Sequence, residues 1–306
     1  MVRNGSVKRA AAELGVSEAA VSLHVGQLRK ELGDQLFART ASGLAFTPGG
    51  LRLASRAAEM LNLQERTIIE VSQAAGGRRL LRVAASSLFA EYAAPGLIEL
   101  FAGRAADLDV ELSVHDPLKF GTLLHARTVD IAFGPQPANL DGSLTSRPVL
   151  KYTMIVVAAP GHPLARPNAG VRQLRDQTWL LGPSAVADIG VATTALRRIN
   201  VPEDRQRIFQ SHAAALEEAT RGHGVALAVS FAVAQDLAKG RLVRVGGQGL
   251  QFGGVWNTFT LEESAPPAAE LVRFVTTPRA TRAMTQGPGV RVGRFRPAIY
   301  ITLWSY

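Results

Sequence analysis

The sequence predicts an α/β protein in two parts: a small helical head, and a larger domain of alternating strands and helices joined to it by one long helix. Three observations carry that prediction. Val7 to Leu32 reads as two helices around a sharp turn at Gly15-Val16. An apolar repeat at coiled-coil spacing runs from Leu51 to Ser72. From Leu80 onward, strand-like and helix-like runs alternate to about residue 276.

In the first helix of the head, Val7, Ala11 and Leu14 fall on one side. Gly15 suits the left-handed conformation of a chain leaving a helix and reversing. Ser17 stands where an N-cap belongs. The second helix repeats Val21, Val25, Leu28 and Leu32 as one stripe to be buried. At 100° per residue, Ala19, Ser22, Leu23, Gly26, Gln27 and Lys30 take the opposite side. That side is slim and polar, the shape needed to approach base edges in a major groove. An ordinary helical hairpin is the bland alternative.

The run AAAELGVSEAAVSLHVGQLRKELGDQLFART resembles the N-terminal domain of LysR-type transcriptional regulators. The likeness rests on Ala11, Ala12, Leu14, Val16, Ser17, Ala20, Val21, Ser22, Leu28, Leu32, Gly33, Leu36, Phe37 and Arg39, followed by Thr47-Pro48-Gly49-Gly50. It implies a winged helix-turn-helix over 1–47, a linker and dimerisation helix over 48–77, and an effector-binding domain over 80–276. It implies DNA contact by Ser17, Glu18, Ala19, Ser22, Leu23 and Gln27, with Arg39 and Thr40 of a wing on phosphates. Glu18-Ala19 replaces the usual Gln-Pro, and Leu23 a frequently basic residue, so the operator preference departs from the family average. Glu18 either accepts from a cytosine amino group or only favours the helix N-terminus. The family also implies a further helix before Gly5-Ser6, where only Met1 to Asn4 stand. We expect translation to begin upstream of Met1; the other reading is a domain lacking one wall of its core.

Thr47 caps the long helix, with Pro48 at its first position. Its stripe of Leu51, Ala54, Ala58, Leu61, Glu65, Ile68 and Ser72 calls for a partner, the same helix of a second subunit or the chain's own larger domain. A homodimer or homotetramer would carry two reading helices to half-sites about one helical turn apart.

Beyond Leu80, LLRVAAS, DVELSVH and VDIAFG read as strands, with helices at about 91–102 and through Leu124, implying a parallel sheet. Pro160-Gly161-His162-Pro163 resembles the family's crossover into a second lobe, where TWLLGPS, a helix near 188–199, RIFQS, a helix at 213–221 and GVALAVS repeat the theme. GGVWNTFTLEE returns, and a helix over 266–275 closes the domain. The layout is similar to type 2 periplasmic binding proteins, with lobe I at about 80–159 and 252–276 and lobe II at about 163–245. Ligands of such folds lie outside the carboxyl ends of strands. That rule selects Ser86, Ser87, His115, Asp116, Phe133, Gly134, Gly182, Pro183, Ser184, Ser211, His212 and Ser230. Ser87 and Ser184 near helix N-termini suit an anion, and the family implies a small, often carboxylated effector. The serines could instead only cap helices, and His212 reads first as a structural histidine. Residues 277–306 form a basic extension, a helix continuation and then a strand-like AIYITLW, expected to pack on lobe I.

Composition agrees. The net charge of +9 divides into +4 over 1–79, zero over 80–276 and +5 over 277–306, a basic head beside a neutral domain. Zero cysteines exclude disulfides, thiolate metal sites and a cysteine nucleophile. No run suits a membrane span or signal peptide, so a cytoplasmic location is expected. His115-Asp116 lacks the further ligands of a metal-dependent phosphohydrolase, and no G-x-S-x-G elbow or Walker loop occurs, so neither metal, cofactor nor enzyme activity is expected. The reading is a DNA-binding, effector-responsive regulator. Its competitor is a cytoplasmic solute-binding or interaction module with a non-functional head.

Overall fold

The structure, a computed structural model, describes residues 6–40, 43–77, 79–165, 171–246 and 250–286. The expectations for Met1 to Asn4 and for AIYITLW fall outside them. The chain forms two compact units, residues 1–69 and 70–306.

The head begins with α1 (Val7–Leu14), capped by Ser6, whose hydroxyl accepts the Arg9 N–H at 3.1 Å. It ends at Gly15, φ 66°, whose N–H reaches the carbonyls of Ala11 and Ala12. In α2 (Glu18–Leu32), Ser17 accepts the Ala20 N–H at 3.1 Å, as its cap position predicts. The hairpin of β1 (Phe37–Thr40) and β2 (Gly43–Phe46) is the wing. Arg29 ties it to α2, donating to the Gln35 and Phe37 carbonyls at 2.7 Å each and lying over the Phe37 ring. Asp34 accepts from the Leu36 N–H at 2.6 Å and the Thr47 hydroxyl at 2.7 Å. Thr47 in turn caps α3 (Pro48–Gly76), accepting the Gly50 N–H at 2.9 Å. A Cβ on Gly50 would run into the Leu36 carbonyl, so wing and helix meet backbone to backbone there.

The core of the head is thin. Val7, Ala11 and Val21 are buried and Val25 packs beside them. Leu14, Leu28 and Leu32, read from periodicity as core, are 69%, 38% and 52% exposed. Only the start of the α2 stripe, Val21 and then Val25, joins the α1 residues in one cluster.

The larger unit runs β3 (Arg79–Ala85), α4 (Ser87–Tyr92), α5 (Ala94–Ala102), β4 (Leu108–Val114), α6 (Phe120–His125), β5 (Ile131–Gly134) and β6 (Leu144–Ala158). It continues with α7 (Val171–Arg175), β7 (Trp179–Leu181), α8 (Val191–Ile199), β8 (Gln206–Ile208), α9 (His212–Thr220), β9 (Val225–Val229) and α10 (Ala234–Ala238). Then follow β10 (Val243–Arg244), β11 (Gln251–Leu261), α11 (Pro266–Val275) and α12 (Pro278–Gln286). The sheet order is β4-β3-β5-β11-β6-β9-β7-β8, with β10 also on β6. The β3, β4 and β5 pairings are parallel, as are those of β7 with β8 and β9. Between these two lobes β6 and β11 pair antiparallel from Leu144↔Leu261 to Ile155↔Gln251. The sheet is therefore mixed, where the strand-helix order predicted a parallel one. The sequence hides this because the first half of β6, LTSRPVLK, is polar and carries a proline; Pro148 sits where the register shifts at Trp256/Asn257, a place that tolerates its missing N–H.

The helix expected over 91–102 is two helices broken at Ala93, because Pro95 in the first turn of α5 cannot continue a helix from α4. Fully buried Phe89, Phe133, Trp179 and Trp256 anchor a core that reaches through both lobes. The Trp179 indole donates to the Leu174 carbonyl at 2.9 Å. The start of the C-terminal extension forms α12, which packs on α5 with Ala280 and Met284 buried. Among the described residues no helix is long and apolar enough to cross a membrane.

Candidate DNA-reading face and interlobe site

Burial of Val21 turns the opposite side of α2 outward. Ser17, Glu18, Ala19, Ser22, Leu23, Gln27 and Lys30 are all exposed, Leu23 by 63%. Gln27 meets His24 of its own helix at 3.3 Å. Arg39 and Thr40 are the last residues of β1, opposite Leu44 and Gly43. A helix held by two caps, with small and polar side chains outward, is able to enter a groove without first shedding intramolecular bonds.

In the larger unit the residues selected by strand ends have divided roles. Ser86 donates its N–H to the Phe133 carbonyl at 2.8 Å, and its buried hydroxyl has no partner among the described residues. Phe133 is core, stacked on Phe89 at 4.7 Å, and a Cβ on Gly134 would crowd Phe120. These three form one corner of the first lobe. The Asp116 carboxylate accepts the Leu118 N–H at 2.8 Å, and the Ser211 hydroxyl accepts the Ala214 N–H at 3.1 Å, so both close helical turns. Ser230 is half-buried and donates its N–H to the Thr153 carbonyl. His115 stands half-buried, its pKa lowered by burial and by Lys119. Ser87 opens α4, which packs against the turn carrying Pro183 and Ser184.

Around that contact lie residues the sequence did not single out. Glu91 of α4 accepts the His212 N–H at 2.9 Å and the Ala213 N–H at 2.6 Å, and it meets His212 Nδ1 at 2.8 Å. On the other side of the buried ring, His212 Nε2 meets the Ser184 hydroxyl at 2.9 Å. A side chain on Gly182 would strike the same ring. Burial pushes the Glu91 carboxyl up, yet the imidazole and the two backbone N–H groups outweigh it and leave its pKa below the ordinary value. Beside it, burial foremost and then the charges of Glu91 and Asp236 push the Tyr92 phenol far up, and its hydroxyl has no partner among the described residues. Trp256, stacked on Tyr152 at 4.1 Å, also buries an indole N–H without a partner among the described residues. A lone Glu on an amphipathic helix carries no sequence signal of a contact across 121 residues. No group of His, Asp and Glu able to hold a metal occurs among the described residues.

Comparison with known proteins accounts for both units. Residues 1–51 match the family described as bacterial regulatory helix-turn-helix protein, lysR family, and residues 74–277 match the LysR substrate binding domain. An HTH-type transcriptional regulator of Mycobacterium tuberculosis is 59% identical over 310 residues, covering 100% of this chain and 97% of the relative. The RuBisCO operon transcriptional regulator of Allochromatium vinosum is 30% identical over 185 residues, 59% of this chain and 60% of its own. Among solved structures, ArgP from Mycobacterium tuberculosis aligns with TM-score 0.62 at 18% identity, over 90% of this chain and 93% of its own. DarR of Vibrio fischeri, solved in complex with DNA, aligns with TM-score 0.53 at 16% identity, over 90% and 94%. Both likenesses are of fold. Both segments being matched, nothing supports the module with a non-functional head. The chain belongs to the LysR family of transcriptional regulators, with a helix-turn-helix DNA-binding domain and a substrate-binding domain.

Proposed function

We propose that the outward side of α2 reads an operator through Ser17, Glu18, Ala19, Ser22, Leu23 and Gln27, while Arg39 and Thr40 hold phosphates. The observation that carries this is the exposure of that entire side while Val21 anchors the other. Two copies are joined along α3, where Leu51, Leu61 and Ile68 are 51%, 65% and 62% exposed, a stripe that a second helix would cover. A small carboxylated effector binds between the lobes, near Ser87 and Ser184, and biases the operator-bound state. The protein works in the cytoplasm, where its operator is. Electrophoretic mobility shift of the promoter beside its own gene tests the reading: retardation is expected, and none at any protein concentration would reject it. A thermal-shift series of small carboxylates tests the effector, with Ser87→Ala and Ser184→Ala expected to remove the response.

The line Ser184–His212–Glu91 has the order of a hydrolase triad, and we assign it no catalytic step. The N–H next to the serine, that of Ala185, is bonded to the Gly182 carbonyl at 3.1 Å and the next to the Pro183 carbonyl, so neither donor is free for an oxyanion. Ester turnover above buffer by the purified chain would overturn that assignment.

A further inference from the structure

We propose that Glu91 is a latch between the lobes: its carboxylate, carried on α4 of the first lobe, closes the N-terminus of α9 in the second and holds that edge of the cleft shut. This rests on the effector-domain reading above and adds the contact through which the two lobe arrangements are balanced.

A helix start leaves several backbone N–H groups without partners. In α9 the chain's own Ser211 takes the Ala214 N–H, and the two preceding donors, of His212 and Ala213, are taken by Glu91, one on each carboxylate oxygen. The helix start is therefore complete only while the lobes touch. The His212 ring extends the contact. With its Nδ1–H toward Glu91, its Nε2 accepts from Ser184, so one ring joins α4, α9 and the turn after β7. Close packing of Gly182 on the ring fixes its place. Charge-assisted bonds to a shielded carboxylate are the strong kind, and here three converge.

An opposing term lies next door. The Tyr92 ring packs 5.9 Å from the His212 ring, and its buried hydroxyl has no partner among the described residues. Closure thus keeps one polar group unsatisfied that opening would hydrate. A strong contact set against a local penalty is what a two-state element requires, whereas a permanent clamp would satisfy both.

The test uses the full-length chain, whose lack of cysteine permits labels at two introduced sites alone. Lys119→Cys in the first lobe and Glu203→Cys in the second are both exposed positions. Spin labels there, diluted with unlabelled chain, report the interlobe distance by double electron–electron resonance. With Glu91 intact a single narrow distribution is expected. In Glu91→Gln and Glu91→Ala the mean should move to longer distance by more than the parent's width. Superimposed distributions would overturn the latch, and would do so while leaving operator retardation, and with it the proposed function, untouched. Gln is nearly isosteric with Glu, so if the Ala variant fails to fold the Gln variant decides.

Discussion

Helices α2 and α9 start alike. Each has a serine cap whose hydroxyl accepts the N–H three residues on, Ser17 from Ala20 and Ser211 from Ala214, both at 3.1 Å. Their fates differ. The first turn of α2 faces solvent and stands on a core of a few residues, whereas the first turn of α9 meets the Glu91 carboxylate and its helix packs through Ala215 and Ala219 on a core with Ile155, Val157 and Leu180. The same local chemistry thus serves an external partner in one place and an internal one in the other. What reaches a helix end is decided by the fold around it, and the cap motif is silent on that.

The comparison breaks first at the cores. Trp179→Ala should lower the unfolding free energy of the larger unit by about 3–5 kcal/mol, read by urea denaturation. If the loss is no larger than that of Val21→Ala on the head, the contrast of thick and thin cores fails. Next is assembly, which the outward-facing head requires. Leu61→Glu places a carboxylate in the exposed α3 stripe and should convert the oligomer to monomer in sedimentation, with helical content unchanged. Unchanged sedimentation would assign that stripe elsewhere. The caps come third. Ser17→Ala and Ser211→Ala should each cost about 1 kcal/mol, since both cap bonds are equally exposed.

The smallest effect is acid dependence at the latch. Glu91 has its folded pKa below the ordinary glutamate value, with His212 beside it, and the neighbouring Tyr92 phenol feels the charges of Glu91 and Asp236. Its contribution is fully present above the unfolded value and is lost as pH falls through the folded one. The melting-temperature gap between the parent chain and Glu91→Gln should therefore hold at neutral pH and close only below the ordinary carboxylate range. A gap that is constant into strong acid would show that the charge of Glu91 is not what stabilises the contact.

Much of the head was legible because its information is local. The Gly15 turn, the Ser17 cap, the Thr47 cap and the slim outer side of α2 all lie within a few residues of what they control. Periodicity erred only in taking Leu14, Leu28 and Leu32 as core, since it reports which side is apolar and cannot say how far a neighbour extends over it. In the larger unit, strands β3, β7 and β9 and helices α9 and α11 followed from alternation and turn residues. The long antiparallel pair β6 and β11 did not, because half of β6 is polar and its partner lies about a hundred residues away. The strand-end rule selected Ser184 and His212 as candidates from local pattern, and nothing in the sequence pointed to Glu91, Tyr92 or Trp256, whose surroundings come from distant segments.

The most direct measurement is titration of a labelled operator duplex with the full-length chain and with Ser22→Glu, at low and at physiological salt. Ser22 is exposed on α2, at the edge of the outward side that borders the wing residues Phe37 and Ala38. The account predicts unchanged thermal unfolding and an operator affinity weakened by roughly 10- to 100-fold, as a carboxylate is set against acceptor-rich base edges and phosphates. Equal affinity of the two chains would contradict it, and would mean that α2 does not lie in the groove.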